Sequence, residues 1–446
     1  MQEEPTPYSF YLNEEEIMSS LREAIQAQQA STENALTIVY QPQAIFRVRP
    51  VTRCMSDLPG HSEAVLAVAF SPCGSMLASG SGDTTVRIWD LFTNTPQFTC
   101  KGHKNWVFTI AWSPNSKHLA SAGMDNEIRV WDPKTGRPNS APLKGHTAYV
   151  TCLAWEPLNA NPACEHIASG SKDNSIRVWN LRQQACVRTL SGHSHPVTAI
   201  RWGGAGLLYS ASRDRTIKVW DPLQGTLVRT LEGHAHWVTT LSLSTDHALR
   251  TGAFDRHGMI GDGSGDGGAA AAAGGAAADE ADPKTVQAAA QAKYDKIIGK
   301  GSELLVSGSD DFTLFLWDPV KSKKPVQRLT GHQQPITQVS FSPDGHTIAS
   351  CSFDKSVKLW AGATGKYINS LRSHVEAVYQ VAWSGDSRLV VSASKDSTIK
   401  VWEARTQKRL FELPGHADEV YAVDWAPDGD RVVSGSKDRI MKMWSK

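Results

Sequence analysis

A histidine, a serine and an aspartate recur together along this chain at spacings that would suit nucleophilic catalysis. The first set is His61, Ser79 and Asp83, and the pattern continues to His416, Ser434 and Asp438. In a hydrolase, the Asp would fix the His tautomer and the His would take the Ser proton during attack on a carbonyl. Here a tryptophan follows each Asp by six residues: Trp89, Trp131, Trp179, Trp220, Trp317, Trp360, Trp402 and Trp444. Eight equivalent copies argue against catalysis, because an enzyme needs one activated serine. The four side chains can instead satisfy one another. His reaches Ser, Asp holds His, and the indole donates one hydrogen bond while burying a large apolar face. A network closed on itself tolerates burial. The chain shows no Gly-rich phosphate loop ahead of a helix and no metal-ligand cluster. It is read as a protein without catalytic activity and without a cofactor of its own.

The elements that carry these residues repeat with them. Gly102 to Asp132 opens with Gly-His, runs through an apolar strand, and breaks at Ser113-Pro-Asn-Ser116. It resumes as a second strand, turns at Met124-Asp125-Asn126, and ends on a third strand closed by Trp-Asp. A repeat of this kind dictates the architecture before any local reading. The unit resembles the WD repeat, and the resemblance covers about Val51 to Lys446. Eight openings and eight closings imply an all-β, eight-bladed propeller. The final repeat stops at Trp444 without an outer strand, so the strand near Arg53 is expected to complete the last blade and remove the open edge. The third copy is longer by Leu158 to His166, read as a surface loop. The fifth is interrupted over 256–302. A Gly- and Ala-rich tract follows Gly258, and a helix is expected from Asp282-Pro283 to about Ile298. Ala248–Gly252 and Leu304–Ser307 compete for one place in that blade, and the Ser307–Asp311–Trp317 spacing favours the later segment.

Composition narrows the class. Lys and Arg number 46 against 45 Asp and Glu, which argues against a surface that coats nucleic acid throughout. Seven cysteines without short paired spacing suit buried thiols in a reducing compartment. No apolar run approaches membrane-spanning length, and Met1-Gln-Glu-Glu-Pro5 is unlike a secretory signal. The expectation is a soluble, intracellular protein with no membrane contact.

Residues 1–50 lie outside the repeats. Tyr8–Leu12 reads as a strand. Asn13 reads as a helix N-cap with Glu14, Glu15 and Glu16 in the first turn, and Ile17, Leu21, Ala24 and Ile25 as one apolar face. Leu36–Tyr40 and Ala44–Arg49 read as strands. The stretch STENALTIVYQPQAIFRVRPVTR, Ser31 to Arg53, is more specific than the propeller pattern. It resembles the end of the ubiquitin-like domain of the Notchless family. GHKNWV at Gly102, SLSTDHALRTGAFD at Ser242 and GHADEVYAVDW at Gly415 agree with that family. The family domain has a hairpin and a helix before the strand that matches Tyr8–Tyr11, so 1–50 is read as a partial, truncated α+β ubiquitin-like segment. Half of so small a fold buries too little surface to stand alone.

The resemblance implies an assembly factor for the large ribosomal subunit precursor, resident in the nucleus and nucleolus, and a monomer within a large complex. It implies that Glu33, in the Ser31-Thr32-Glu33 turn, completes a Mg²⁺ site held by the AAA ATPase midasin. Mg²⁺ takes octahedral oxygen ligands at roughly 2.0–2.1 Å, so one rigidly projected carboxylate can fill an open position. Without the resemblance, Glu33 reads as an acid in a solvated turn.

One face of the ring is the second candidate. Three residues after the opening His lie Trp106, Tyr149 and Trp237, and immediately before the repeat Asp lie Lys172, Arg213, Lys395 and Lys437. Aromatics with basic neighbours suit an anchored partner, either assembly-particle proteins or ribosomal RNA. A different class of function is a substrate receptor for a cullin-type ubiquitin ligase, which uses a Trp-Asp-x-Arg ending. Trp402-Glu403-Ala404-Arg405 and Trp179-Asn180-Leu181-Arg182 both depart from it at the Asp.

Overall fold

Eight β-branched residues line the inner wall of the repeats. Val65, Val107, Val150, Val197, Val238, Ile336, Val378 and Val420 each open a strand, and each is at most 1% exposed. The following strands also bury their apolar residues, so a small antiparallel sheet forms and repeats. The computed structural model describes residues 8–12, 15–16, 38–42, 48–255, 258–260, 282–299 and 301–446. The chain divides into two compact units, Met1–Val48 and Arg49–Lys446.

The second unit is an eight-bladed β-propeller. Its first blade runs outward through Val65–Phe70, Met76–Ser81, Thr85–Asp90 and Thr95–Lys101. The second blade has three strands, Val107–Trp112, Leu119–Gly123 and Ile128–Trp131. Its outer edge is bridged only at Leu143 and Pro138. Pro138 and Pro142 lack the N–H groups that a regular ladder needs there.

The last blade is Val420–Trp425, Arg431–Ser436 and Met441–Ser445, completed on its outside by Arg53–Leu58. Met441 pairs with Leu58 and Trp444 with Cys54. The earliest propeller strand therefore closes the ring, as its position in the sequence leads one to expect.

The repeat His and Asp turns lie on one face of the ring, here the His face. The turns joining innermost and second strands lie on the other. In blade 5 that turn is the long interruption. Val238–Leu243 pairs with Leu305–Ser309, so the later of the two competing segments enters the blade. Asp246–Thr251 instead forms a short helix, α1. Asp246 meets Arg201 of blade 4 at 3.3 Å, and Arg250 meets Asp424 of blade 8 at 2.9 and 2.8 Å. Blades 4 and 8 face each other across an eight-membered ring, so α1 crosses the end of the central channel.

The expected second helix, α2, spans Pro283–Ile298. Asp282 caps it by accepting from Lys284 N at 3.2 Å, and Pro283 occupies the first turn, where its missing N–H costs nothing. Ala289, Ala290 and Tyr294 are buried against the propeller. The Tyr294 ring packs onto Gly204, where any side chain would overlap it. Gln287 Nε2 donates to Asn159 O at 2.9 Å, and Lys293 Nζ donates to Phe254 O.

This docking corrects the reading of Leu158–His166 as a surface loop. Leu158 and Cys164 are 1% and 0% exposed, in one cluster with Ala253, Ala289 and Ala290. The interruption in blade 5 covers the longer turn of blade 3.

The first unit holds a three-stranded antiparallel sheet with Tyr8–Leu12 between Glu15–Glu16 and Ile38–Pro42. The strand at Tyr8–Leu12 is as expected, and the one expected at Leu36–Tyr40 sits at Ile38–Pro42. Glu15 and Glu16, expected in the first turn of a helix, pair instead with Leu12 and Tyr11. Backbone pairing in a hairpin outweighs the weak helix-start signal of three acids. The expected helical face from Ile17 to Ile25 and the turn carrying Ser31, Thr32 and Glu33 lie outside the described residues.

Candidate functional site

The repeated polar set has one geometry throughout. His Nδ1 lies 2.6–2.9 Å from the Asp Oδ2 in all eight blades. His Nε2 lies 2.7–2.8 Å from the Ser Oγ. The Trp Nε1 donates to the same Oγ at 2.7–2.9 Å.

Burial pushes each repeat carboxyl up, but bonds from the His ring, the following hydroxyl or backbone N–H groups outweigh it. All eight Asp side chains end below the usual carboxylate range, Asp173 at about 2. The Asp thus takes the Nδ1 proton, and Nε2 accepts from the Ser hydroxyl. This resembles a triad, but each Ser is 0% exposed and its oxygen already accepts the indole N–H. No electrophile can reach it, so the set ties three strands together and does no chemistry.

The rim of the His face is where exposed side chains gather. Trp106 and Trp237 are 49% and 39% exposed. Two of the expected cations stack on two of the expected aromatics. Lys172 Nζ lies 5.0 Å from the Tyr149 ring centroid, and Arg213 Cζ lies 4.5 Å from that of Trp237. Such stacking orders long side chains over apolar surface. Phe108 links Trp106 and Tyr149 edge-on, at 6.4 and 5.7 Å between centroids.

The other two expected cations stand apart. Lys395 and Lys437 lie on blades 7 and 8. Lys437 meets Asp418 at 3.5 Å and Glu419 at 3.9 Å, and Asp418 above all raises its pKa. The four cations therefore do not form one patch.

Sequence reasoning missed Phe108, Tyr379 and Tyr421, five residues after an opening His. Tyr379 and Tyr421 lie 5.5 Å apart, and Tyr379 OH donates to Glu419 at 2.8 Å. In four other blades the same position is a Thr that donates to the next blade's inner strand, from Thr151 to Val197 O at 2.7 Å and from Thr198 to Val238 O at 2.6 Å, with Thr239 and Thr337 alike. The alternation after the buried Val marks this position as facing the channel, and that signal could have found the three aromatics.

Comparison with known proteins extends the geometry. The family described as "WD domain, G-beta repeat" matches residues 52–90, 94–132, 138–180, 184–221, 225–260, 298–318, 323–361, 365–403 and 407–445. The chain is 52% identical to the Notchless protein homolog of Arabidopsis thaliana over 82% of this chain and 73% of that one. It is 51% identical to Protein Notchless of Drosophila melanogaster, over 77% and 67% of the two chains. It is 45% identical to Ribosome assembly protein 4 of Saccharomyces cerevisiae, over 76% and 64%. Among solved structures, the computationally designed Ika8 protein superposes with a TM-score of 0.67 at 27% identity, over 88% of this chain and 100% of that one. With its repeats, its eight closed blades and relatives more than half identical over most of their length, the chain belongs to the Notchless family of WD-repeat proteins.

Proposed function

We propose that this protein is a non-catalytic assembly factor for the large ribosomal subunit precursor, working in the nucleus and nucleolus. Kinship with the yeast protein named for ribosome assembly carries the reading. The fold supports it: a ring whose last blade is closed by its first strand gives a rigid grip, and the aromatic and basic rim of the His face gives that grip a surface. In the finer form of the proposal, the N-terminal unit offers Glu33, flanked by Ser31 and Thr32, to a Mg²⁺ ion held by midasin. ATP hydrolysis belongs to that partner, and this chain transmits the force.

The test has two arms. The tagged protein should co-sediment with large-subunit precursors on a sucrose gradient, and co-sedimentation only with mature ribosomes or free protein rejects the assembly role. The purified adhesion domain of midasin should retain the wild type in Mg²⁺ and release it in EDTA. Glu33→Asp should bind more weakly, because its carboxylate retreats by one methylene from a site strict about distance. Equal retention of wild type and Glu33→Ala removes the metal hypothesis and leaves the assembly role standing.

A further inference from the structure

The His face is not uniform around its circumference. From blade 2 to blade 4 it exposes Lys104, Lys172, Arg213 and Arg215. The carboxylate that accompanies them, Glu127, is only 8% exposed and is held by Arg129 at 2.9 Å and Lys144 at 3.2 Å. On the far side of the ring the balance differs. Glu376, Asp418 and Glu419 crowd the mouth there, with Lys355 at 3.8 Å from Glu376 and Lys437 between the other two. The basic sector is thus local, and it coincides with the exposed Trp106 and Trp237.

We infer that the sector spanning blades 2 to 5 docks a short, acidic, extended polypeptide segment bearing an apolar anchor. This deepens the reading of the His face as the gripping side and rests on it. Charge complementarity selects an acidic occupant, and Lys172 and Arg213 are held in place to receive it by the rings beneath them. Trp, Tyr and Arg are the side chains that most often dominate a binding interface.

Three features favour a polypeptide over RNA. The Tyr149 and Trp237 faces under Lys172 and Arg213 are already covered, so they offer those faces to no base. The sector is bounded by acids, Glu63 on blade 1 and Asp310 on blade 5, which would repel a phosphate backbone running past either edge. A nucleic-acid footprint commonly takes about six to ten phosphate contacts, more than four cations supply. A peptide can place a few carboxylates within the basic arc and an apolar side chain against Trp106 or Trp237. The opposite end of the channel is crossed by α1, so the segment lies on the mouth or enters it from the His face.

The experiment uses the full chain and three fluorescein-labelled probes read by anisotropy: a glutamate-rich peptide of about twelve residues carrying two phenylalanines, its lysine-rich counterpart, and an oligouridylate of about twelve nucleotides. The acidic peptide should bind at least tenfold tighter than the other two. The exposed double variant Lys172→Glu with Arg213→Glu should weaken it at least tenfold and steepen no salt dependence. Trp237→Ala should weaken it severalfold, while Lys437→Glu on the opposite side should leave it unchanged. Binding of the acidic peptide no tighter than the lysine-rich one, full retention by the double variant, or stronger binding of the oligouridylate each overturns the inference. The measurement contains no ribosomal particle, so loss of the assembly role and loss of this site are told apart.

Discussion

Arg250 and Asp424 lie 174 positions apart in the chain and face each other through two bonds, of 2.9 and 2.8 Å. Asp424 also accepts from the Phe70 backbone N at 2.8 Å, so one carboxylate joins blade 8, blade 1 and the helix that crosses between them. The seam where the ring closes is thereby stitched from below as well as by Arg53–Leu58 on its outside.

Arg250→Ala should therefore cost more than a surface charge normally does. The Asp424 side chain is only 8% exposed and would lose its charged partner. Breaking a buried pair costs about 3–5 kcal/mol, and the 46% exposure of Arg250 reduces that to about 2 kcal/mol. Urea unfolding measures it. A loss below about 0.5 kcal/mol means that water replaces the guanidinium without penalty.

Leu58→Ala tests closure from the other side. Leu58 is 1% exposed and packs with Val65, Met441 and Met443. Removing a buried Leu to its Cβ costs about 2–5 kcal/mol. Because the loss falls on the closing strand, blade 8 amides should gain hydrogen exchange before those of blade 4. Uniform acceleration around the ring contradicts this.

Acid should unfold the propeller through its repeat Asp residues. Each has a folded pKa below its unfolded value, so its stabilisation is present above the unfolded value and is lost as pH falls through the folded one. The window lies below about pH 4 and reaches down to about 2, the value for Asp173. Tryptophan fluorescence should show one cooperative loss there, since all eight copies titrate in the same sense. Unfolding complete by pH 5 would place the acid sensitivity elsewhere.

Glu303 should behave in the opposite sense. It is 2% exposed; burial raises its pKa, against bonds from Thr245, from Gly204 N at 3.3 Å and from Tyr209 OH at 3.5 Å. A carboxyl raised on folding binds its proton more tightly in the native state, so it penalises stability at neutral pH, and the penalty eases as pH falls through its folded value toward 4.5. Glu303→Gln keeps an acceptor and removes the charge. It should flatten the stability profile between neutral pH and 4.5 and shift stability at pH 7 by less than about 1 kcal/mol. Paired urea titrations at pH 5 and pH 7 decide it.

The propeller was legible because its signal is repeated. Four residue types at fixed offsets, eight times over, outweigh any local ambiguity, and the missing outer strand after Trp444 pointed to Arg53. The helix at Pro283 was legible from Asp282 and Pro283, whose roles are local. Less was visible where tertiary packing decides. Leu158 and Cys164 look like loop residues until α2 covers them. Asp246–Thr251 has a strand-like composition, and only its ion pairs to blades 4 and 8 explain a helix there. The stacking of Lys172 on Tyr149 and Arg213 on Trp237 followed from the repeat register, which put both partners on one face. The division of that face into a basic and a mixed half did not, because it depends on Asp418 and Glu419 reaching Lys437.

The crossing helix also has a kinetic meaning. A passage spanned at one end is a cup, so whatever enters from the His face must leave by the way it came. Release then retraces capture, and a bound segment's dwell time is set by the rim it has already passed. A partner held there can be pulled free but cannot be drawn through.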